Sequence, residues 1–378
     1  MSRCPLKWAA KDAPNQTALI TPTQSFTFQQ LDYLADTIPT PPFIIPALHP
    51  TPQLIAQFFA AWRREQSIFP INPRIPTQPP QMRPPARSLL LYTSGSTDRP
   101  KIAHLSPEHL IANAKSAIPA LDLRPCDQWR LSLPLYHVGG IAILFRCILA
   151  RATIVIQDSP SITHLSYIPT HLYRASPVYP HLRCLLLGGA PINHYSPHLP
   201  IYTSYGLTEM SSIVTLNGHC LPNREFCIDA QGEIHVRGDC LFHGYYPDQL
   251  PPSSWFATKD LGRIEQGKLI ITGRKDWMFI SGGENIQPEE IERELLRLPH
   301  VLEAVVIPIN DPEFGKKPVA LICTTHTLPL HSIQSALAKR LPKYKIPTQI
   351  YHINALPKKN GLKIDRLKCA QMIPPVKQ

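Results

Sequence analysis

Residues 92–101 read Tyr-Thr-Ser-Gly-Ser-Thr-Asp-Arg-Pro-Lys and follow directly on the apolar run Leu89-Leu90-Leu91. A short, continuous apolar run suits a strand covered on both faces. What it empties into is a loop of hydroxyls, one glycine and a closing lysine. Exposed backbone N–H groups, hydroxyl donors and a point charge are the equipment for gripping a polyphosphate. The loop is not a Walker A sequence, because it lacks the first glycine and the Gly-Lys-Ser/Thr ending. Taken alone, it also reads as a polar turn between a strand and the next element.

The surrounding pattern is α/β. Thr51-Pro52 has the form of an N-cap with proline at the first helical position. Leu54, Ile55, Phe58, Phe59 and Trp62 follow at helical spacing, and Ser67–Ile71 reads as a strand. Strand-like runs recur at Leu89–Tyr92, Thr153–Ile156 and Cys184–Leu187, which predicts a parallel sheet covered by helices. The stretch 213–273 predicts a small β subdomain of short antiparallel strands. A boundary is expected at Asp276, dividing the chain into 1–275 and 276–378. Beyond it, Pro288-Glu289-Glu290 opens a helix with acidic residues at its positive end. Val301–Ile309 reads as a strand, Ser332–Leu341 as a helix and Gln349–Ile353 as a strand, so the C-terminal part is a compact α+β unit.

Composition narrows the partners. The net charge is +11 although charged residues make up only 17% of the chain. A basic surface favours polyanions, either nucleic acid or small phosphorylated molecules. No dense Lys/Arg run interleaved with aromatics is present, which argues against a nucleic-acid groove. The nine cysteines form no Cys-x-x-Cys pair, so neither a zinc nor a redox site is indicated, and buried free thiols in a reducing cytoplasm are expected. The longest apolar run, Gly139–Ile156, is interrupted by Arg146 and Arg151 and is unsuited to crossing a membrane. The 43 prolines lie mostly between elements and stiffen loops.

Further segments appear in a fixed order: Pro134-Leu135-Tyr136-His137-Val138-Gly139-Gly140, Leu187-Gly188-Gly189-Ala190, Tyr205-Gly206-Leu207-Thr208-Glu209, Gly232–Gly238, Thr258-Lys259-Asp260, Gly273-Arg274-Lys275-Asp276 and Pro357–Arg366. This set resembles the signatures of the adenylate-forming enzymes, which include acyl-CoA synthetases, stand-alone adenylation domains and luciferases. Within that family the chain resembles the o-succinylbenzoate–CoA ligases of bacterial menaquinone synthesis. The features that carry this likeness are Trp255–Asp260, Phe279–Glu290, Asp311–Val319 and Asn360–Ile364. The resemblance implies a large N-terminal domain of doubly wound sheets with a small β subdomain, and a mobile C-terminal α+β lid. It also implies a cytoplasmic ATP-dependent ligase that uses Mg²⁺ and takes coenzyme A as co-substrate. Relatives usually carry a longer α/β insertion near Pro73–Pro85, so this chain looks abbreviated there.

Roles follow from the resemblance residue by residue. Thr93, Ser94, Gly95, Ser96, Thr97 and Lys101 are expected around the β- and γ-phosphates. Asp98 stands where glycine is usual, and its carboxylate is expected to point away from them. Gly188, Gly189 and Ala190 line the adenine, with Tyr205 along it and Gly206 beside it. Thr208 donates to the α-phosphate and Glu209 is the magnesium ligand. Asp260 accepts from the ribose hydroxyls, supported by Arg274. Lys363 reaches from the lid to the reacting carboxylate and α-phosphate, although Leu362 replaces the usual preceding glycine. Asp276 is the hinge. Ser281, Gly282 and Gly283 line the path of coenzyme A. His137, Gly139 and Arg146 belong to the acid pocket, with Gly139 in place of a common serine. Arg146 interrupts an apolar helix-like run, and a buried cation needs a partner. It binds a second carboxylate of the acid, serves a structural ion pair, or snorkels its charge to the surface.

Three other readings stay open: a different acyl- or aryl-CoA ligase, an enzyme loading a separate peptidyl carrier, and a non-catalytic nucleotide-binding relative. The oligomeric state is not legible.

Overall fold

The computed structural model describes residues 4–75, 80, 82–93, 101–168, 179–188, 198–359 and 363–374, with backbone alone for Lys359 and Lys363. Thr51 caps the helix Pro52–Arg63 by accepting from the Leu54 N–H at 3.0 Å, and the helix buries Leu54, Ile55, Phe58, Phe59 and Trp62 as their spacing predicts. The strand that follows is Phe69–Ile71, shorter than the expected 67–71.

The main sheet has nine strands in the order His219–Cys220, Ser212–Leu216, Ile201–Leu207, Cys184–Leu187, His164–Tyr167, Gln128–Arg130, Thr153–Val155, Thr17–Ile20 and Ser25–Thr27. Pairings from Ile201–Leu207 across to Thr17–Ile20 are parallel. The pairings at both edges are antiparallel. Every residue of Cys184–Leu187 is buried, as expected of a parallel strand covered on both faces. In such sheets ligands bind outside the carboxyl ends of the strands. Here that end of Ile201–Leu207 carries Thr208 and Glu209.

The small antiparallel sheet joins Arg224–Ile228, Glu233–Gly238, Phe256–Glu265 and Lys268–Arg274. It begins later than the expected 213, because 212–220 folds back onto the main sheet as its edge. A third sheet pairs Leu89–Thr93 with Lys101–Leu105 and the latter with Gly244–Tyr245, all antiparallel. Thr93 therefore lies opposite Lys101. Residues 94–100, including Asp98, fall outside the described part.

Apolar burial separates the chain into parts. One core draws residues from Cys4 to Leu269, and another runs from Phe279 to Leu341. The second is built on the long hairpin Val301–Asp311 and Gly315–Thr324, the parallel strand Gln349–His352 and the helices Pro288–Leu296 and Leu330–Ala338. The last helix starts and ends earlier than the expected 332–341. All nine cysteines are free, and six are buried. Cys126 and Cys227 are exposed, against the expectation of buried thiols.

Candidate active site

The main-sheet strand Ile201–Leu207 turns sharply. A single 3₁₀ turn, Thr208–Met210, is followed by Ser211 in the left-handed region (φ 56°) and the antiparallel return Ser212–Leu216. The return passes so close that a Cβ on Gly206 would stand 2.1 Å from the Ser212 carbonyl oxygen. Only glycine allows that approach. The turn buries Glu209, leaving 8% of it exposed. The Tyr245 hydroxyl donates to Glu209 Oε1 at 2.6 Å, and the Phe242 N–H donates to the Glu209 carbonyl oxygen at 2.8 Å. Lys101 Nζ sits 4.5 Å from the centre of the Tyr245 ring. Thr93, Lys101, Tyr245 and Glu209 thus form one connected group.

A second group lies four residues back along the same strand. The Tyr205 hydroxyl donates to Asp260 Oδ2 at 2.8 Å, and Arg274 donates to Asp260 Oδ1 at 2.7 Å. Strand register makes this possible, since Asp260 and Arg274 are directly paired across Phe256–Glu265 and Lys268–Arg274. Burial and the Asp260 charge push the Tyr205 phenol well above its ordinary value, so it stays a donor. Gly188 continues the neighbouring strand Cys184–Leu187, while Gly189 and Ala190 lie outside the described residues.

The helix Val138–Ala150 carries the third group. His137 is its N-cap residue, with its ring 4.6 Å from that of Tyr136. At Gly139 a Cβ would come within 2.9 Å of the Leu133 side chain, so a larger residue would crowd that leucine. Arg146 is buried at 1% exposure. It donates to Ser212 Oγ at 3.0 Å and Asn113 Oδ1 at 3.4 Å, and its guanidinium lies 5.7 Å from the Trp129 ring. Among the described residues it makes no ion pair with a carboxylate. Arg224 is buried nearby and bonds the Ile213 carbonyl and Ser116. Burial, and then the Arg224 charge, pull the Arg146 guanidinium down to about 10. The structural ion pair considered from the sequence is thus not seen.

The expected hinge and coenzyme A residues follow the small sheet. Asp276 Oδ1 is 3.2 Å from Lys259 Nζ, and its Oδ2 is 3.7 Å from Arg274. Ser281, Gly282 and Gly283 form the turn between Phe279–Ser281 and Glu284–Ile286, and the Gly282 N–H donates to the Phe314 carbonyl at 2.9 Å. Lys363 lies on the short strand Lys363–Ile364, paired with Lys358–Lys359. Three residues on, Arg366 bonds Glu292 at 2.7 Å and stacks 4.1 Å from the ring of Trp277, which stands 5.9 Å from Arg274. Contacts between side chains thus lead from Asp260 through Arg274 and Trp277 to Arg366, three residues beyond Lys363.

Magnesium favours one or two carboxylates completed by phosphate oxygens and water. Glu209 suits that role, being a buried carboxylate with Tyr245 on Oε1 and not on Oε2. Asp229, Glu233 and His235 also bring ligand atoms within 4.8 Å of one another. They are engaged otherwise: Glu233 pairs with Lys275 and the Lys259 N–H, and Asp229 with His235.

A buried carboxylate at a parallel strand's carboxyl end, joined through one tyrosine to a lysine, and an Asp–Arg–Tyr triad are the arrangement expected of an adenylate-forming enzyme. The chain belongs to the AMP-binding enzyme family: that family's model matches residues 50–246, and the AMP-binding enzyme C-terminal domain matches 290–363. It is 35% identical to the 2-succinylbenzoate–CoA ligase of Salmonella typhimurium over 75% of this chain and 68% of that one. Among solved structures, it resembles an arginine-to-lysine variant of E. coli MenE with bound OSB-AMS, at 26% identity, 98% of both chains and a TM-score of 0.83. It shares its fold with Bacillus subtilis o-succinylbenzoate coenzyme A synthetase in complex with ATP and magnesium ion, at 22% identity, 95% and 98% coverage and a TM-score of 0.80. Sequence reasoning missed Tyr245, Arg224, Glu233 and Trp277 as parts of the site. Glu233 stood inside a quoted motif, and Gly244-Tyr245 showed no signal beyond a turn.

Proposed function

We propose that the chain activates 2-succinylbenzoate with ATP and transfers the acyl group to coenzyme A. In the first step a carboxylate oxygen attacks the α-phosphorus, forming the acyl-adenylate and releasing pyrophosphate. In the second the coenzyme A thiol attacks the acyl carbon, loses its proton and displaces AMP. Thr93 and Lys101, with Ser94–Thr97, hold the outer phosphates, and Thr208 donates to the α-phosphate. Gly188–Ala190 and Tyr205 cover the adenine, while Asp260 and Arg274 hold the ribose. Magnesium on Glu209 would neutralise phosphate charge. Lys363 places an ammonium between nucleophile and electrophile, an effect that depends on preorganisation.

Division into 1–275 and a lid at 276–378 supplies the second step. Turning at Asp276 withdraws Lys363 and brings Ser281–Gly283 to the thiol. His137 and Gly139 bound the acid pocket. Nine free thiols accord with a reducing cytoplasm. The absence of a Lys/Arg run interleaved with aromatics argues against a nucleic-acid partner.

The observation that carries the substrate choice is Arg146. It is a buried cation without a carboxylate among the described residues, and 2-succinylbenzoate brings a second carboxylate beside the one that reacts. Pyrophosphate release should be screened over a panel of acids. This acid should exceed fatty and simple aromatic monocarboxylates by about 100-fold in kcat/KM. Equal rates across the panel reject the substrate. ATP binding by calorimetry with no pyrophosphate from any acid rejects the enzyme.

A further inference from the structure

We propose that Tyr245 is a positioning residue of the adenylation step, holding Glu209 and Lys101 at one fixed spacing for a magnesium-bound triphosphate. The inference rests on the reading of Glu209 and Lys101 given above. A carboxylate only accepts, so the 2.6 Å contact has the Tyr245 hydroxyl as donor and Glu209 Oε1 as acceptor. That bond fixes the carboxylate's rotation with Oε2 left to the metal. The face of the same ring holds Lys101 Nζ at 4.5 Å, a cation–π arrangement. One side chain therefore touches both the candidate metal ligand and the candidate phosphate lysine.

The ring is itself held from several sides. Its backbone extends the phosphate hairpin, with Tyr245 paired to Ala103 and Gly244 to His104. Phe242 meets the ring edge-on at 5.1 Å, and Phe256 lies at 6.1 Å. The Phe242 N–H also grips the Glu209 carbonyl. The segment 242–245 thus fixes Glu209 at both backbone and side chain, and does so from the sheet that carries Lys101. Groups set before the ligand arrives need no reorganisation when charge develops.

The test is calorimetric titration of Mg²⁺ into the whole protein with a non-hydrolysable ATP analogue, beside adenylation kinetics. Tyr245→Phe keeps the ring and removes the hydroxyl. It should weaken Mg²⁺ binding about tenfold, the usual scale for a hydrogen bond to a charged group. Binding of the metal-free analogue should stay within about twofold, because Lys101 keeps its aromatic face, and the melting temperature should stay within a few degrees. Tyr245→Leu should weaken both. Glu209→Gln is the control. If that variant binds Mg²⁺ as the parent does, the reading of the site and this inference fall together. If Glu209→Gln loses Mg²⁺ while Tyr245→Phe binds it equally well or more tightly, this inference alone is overturned.

Discussion

Replacing Arg146 by methionine should separate stability from substrate choice. The guanidinium is held down to about 10, well below its ordinary value, by burial and by Arg224. At about 1.4 kcal/mol per pKa unit, keeping it charged in the free protein costs on the order of 3 kcal/mol. Hydrogen bonds to Ser212 and Asn113 and the Trp129 ring offset part of that. Buried charges replaced by apolar groups of similar volume often leave stability unchanged or raise it. Arg146→Met should therefore keep the urea midpoint or raise it.

Catalysis should move the opposite way. A substrate carboxylate cancels the strain on the free cation, so its removal forfeits up to about 3 kcal/mol, or roughly 100-fold in kcat/KM. The loss should fall on 2-succinylbenzoate and spare a monocarboxylate of similar size, measured by pyrophosphate release. Equal losses for both acids would show that Arg146 does not read the second carboxylate. A fall in stability of several kcal/mol would show that it is a structural cation whose partner has been removed.

Lys363→Ala should reduce acyl-adenylate formation by about a thousandfold, on the scale of lost transition-state electrostatics. Conversion of supplied acyl-adenylate by coenzyme A should continue, and equal loss in both half-reactions contradicts the role. Asp276→Pro should slow one half-reaction at least about tenfold relative to the other in single-turnover assays, because the hinge must change its backbone angles. Unchanged overall turnover refutes the hinge. His104 and His109 both stand near about 4 instead of 6.5, held down first by burial and then by His243. A depressed folded value means stability is complete above pH 6.5 and is lost as pH falls towards 4. The buried His104 and the partly exposed His109 should each contribute about 1–2 kcal/mol of loss between pH 7 and pH 5. Urea titrations at the two pH values should show it, and the loss should shrink in a His104→Gln variant.

How much could be read in advance depended on whether a signal was local. The helix Pro52–Arg63 was legible because its cap, its proline and its apolar spacing lie within twelve consecutive positions. The return of 212–220 onto the main sheet was not, since an antiparallel edge strand has the same alternation whichever sheet it joins. Asp260 and Arg274 were found through family spacing, but their pairing came only with strand register. The partners of Arg146 come from positions 113 and 212, and Arg224 from further still. An arginine within an apolar run announced a buried cation without saying what would meet it.

Glu233 shows how such an omission arises beside the proposed hinge. One of its oxygens accepts from the Lys259 N–H at 2.9 Å, and the other pairs with Lys275 at 2.7 Å. Lys259 adopts a left-handed backbone (φ 63°) immediately before Asp260 and sends its own ammonium to Asp276. Arg274 in turn divides itself between Asp260 and Asp276. The groups proposed to hold the ribose and those proposed to release the lid therefore share one set of charges. Each motif was recognisable because it is contiguous. Their coupling was not, because opposite charges brought together by antiparallel pairing leave no mark in either segment alone. A change of lid orientation at Asp276 must break or remake its contacts with Lys259 and Arg274. The hold on Asp260 is thereby tied to the state of the hinge through two side chains that touch both.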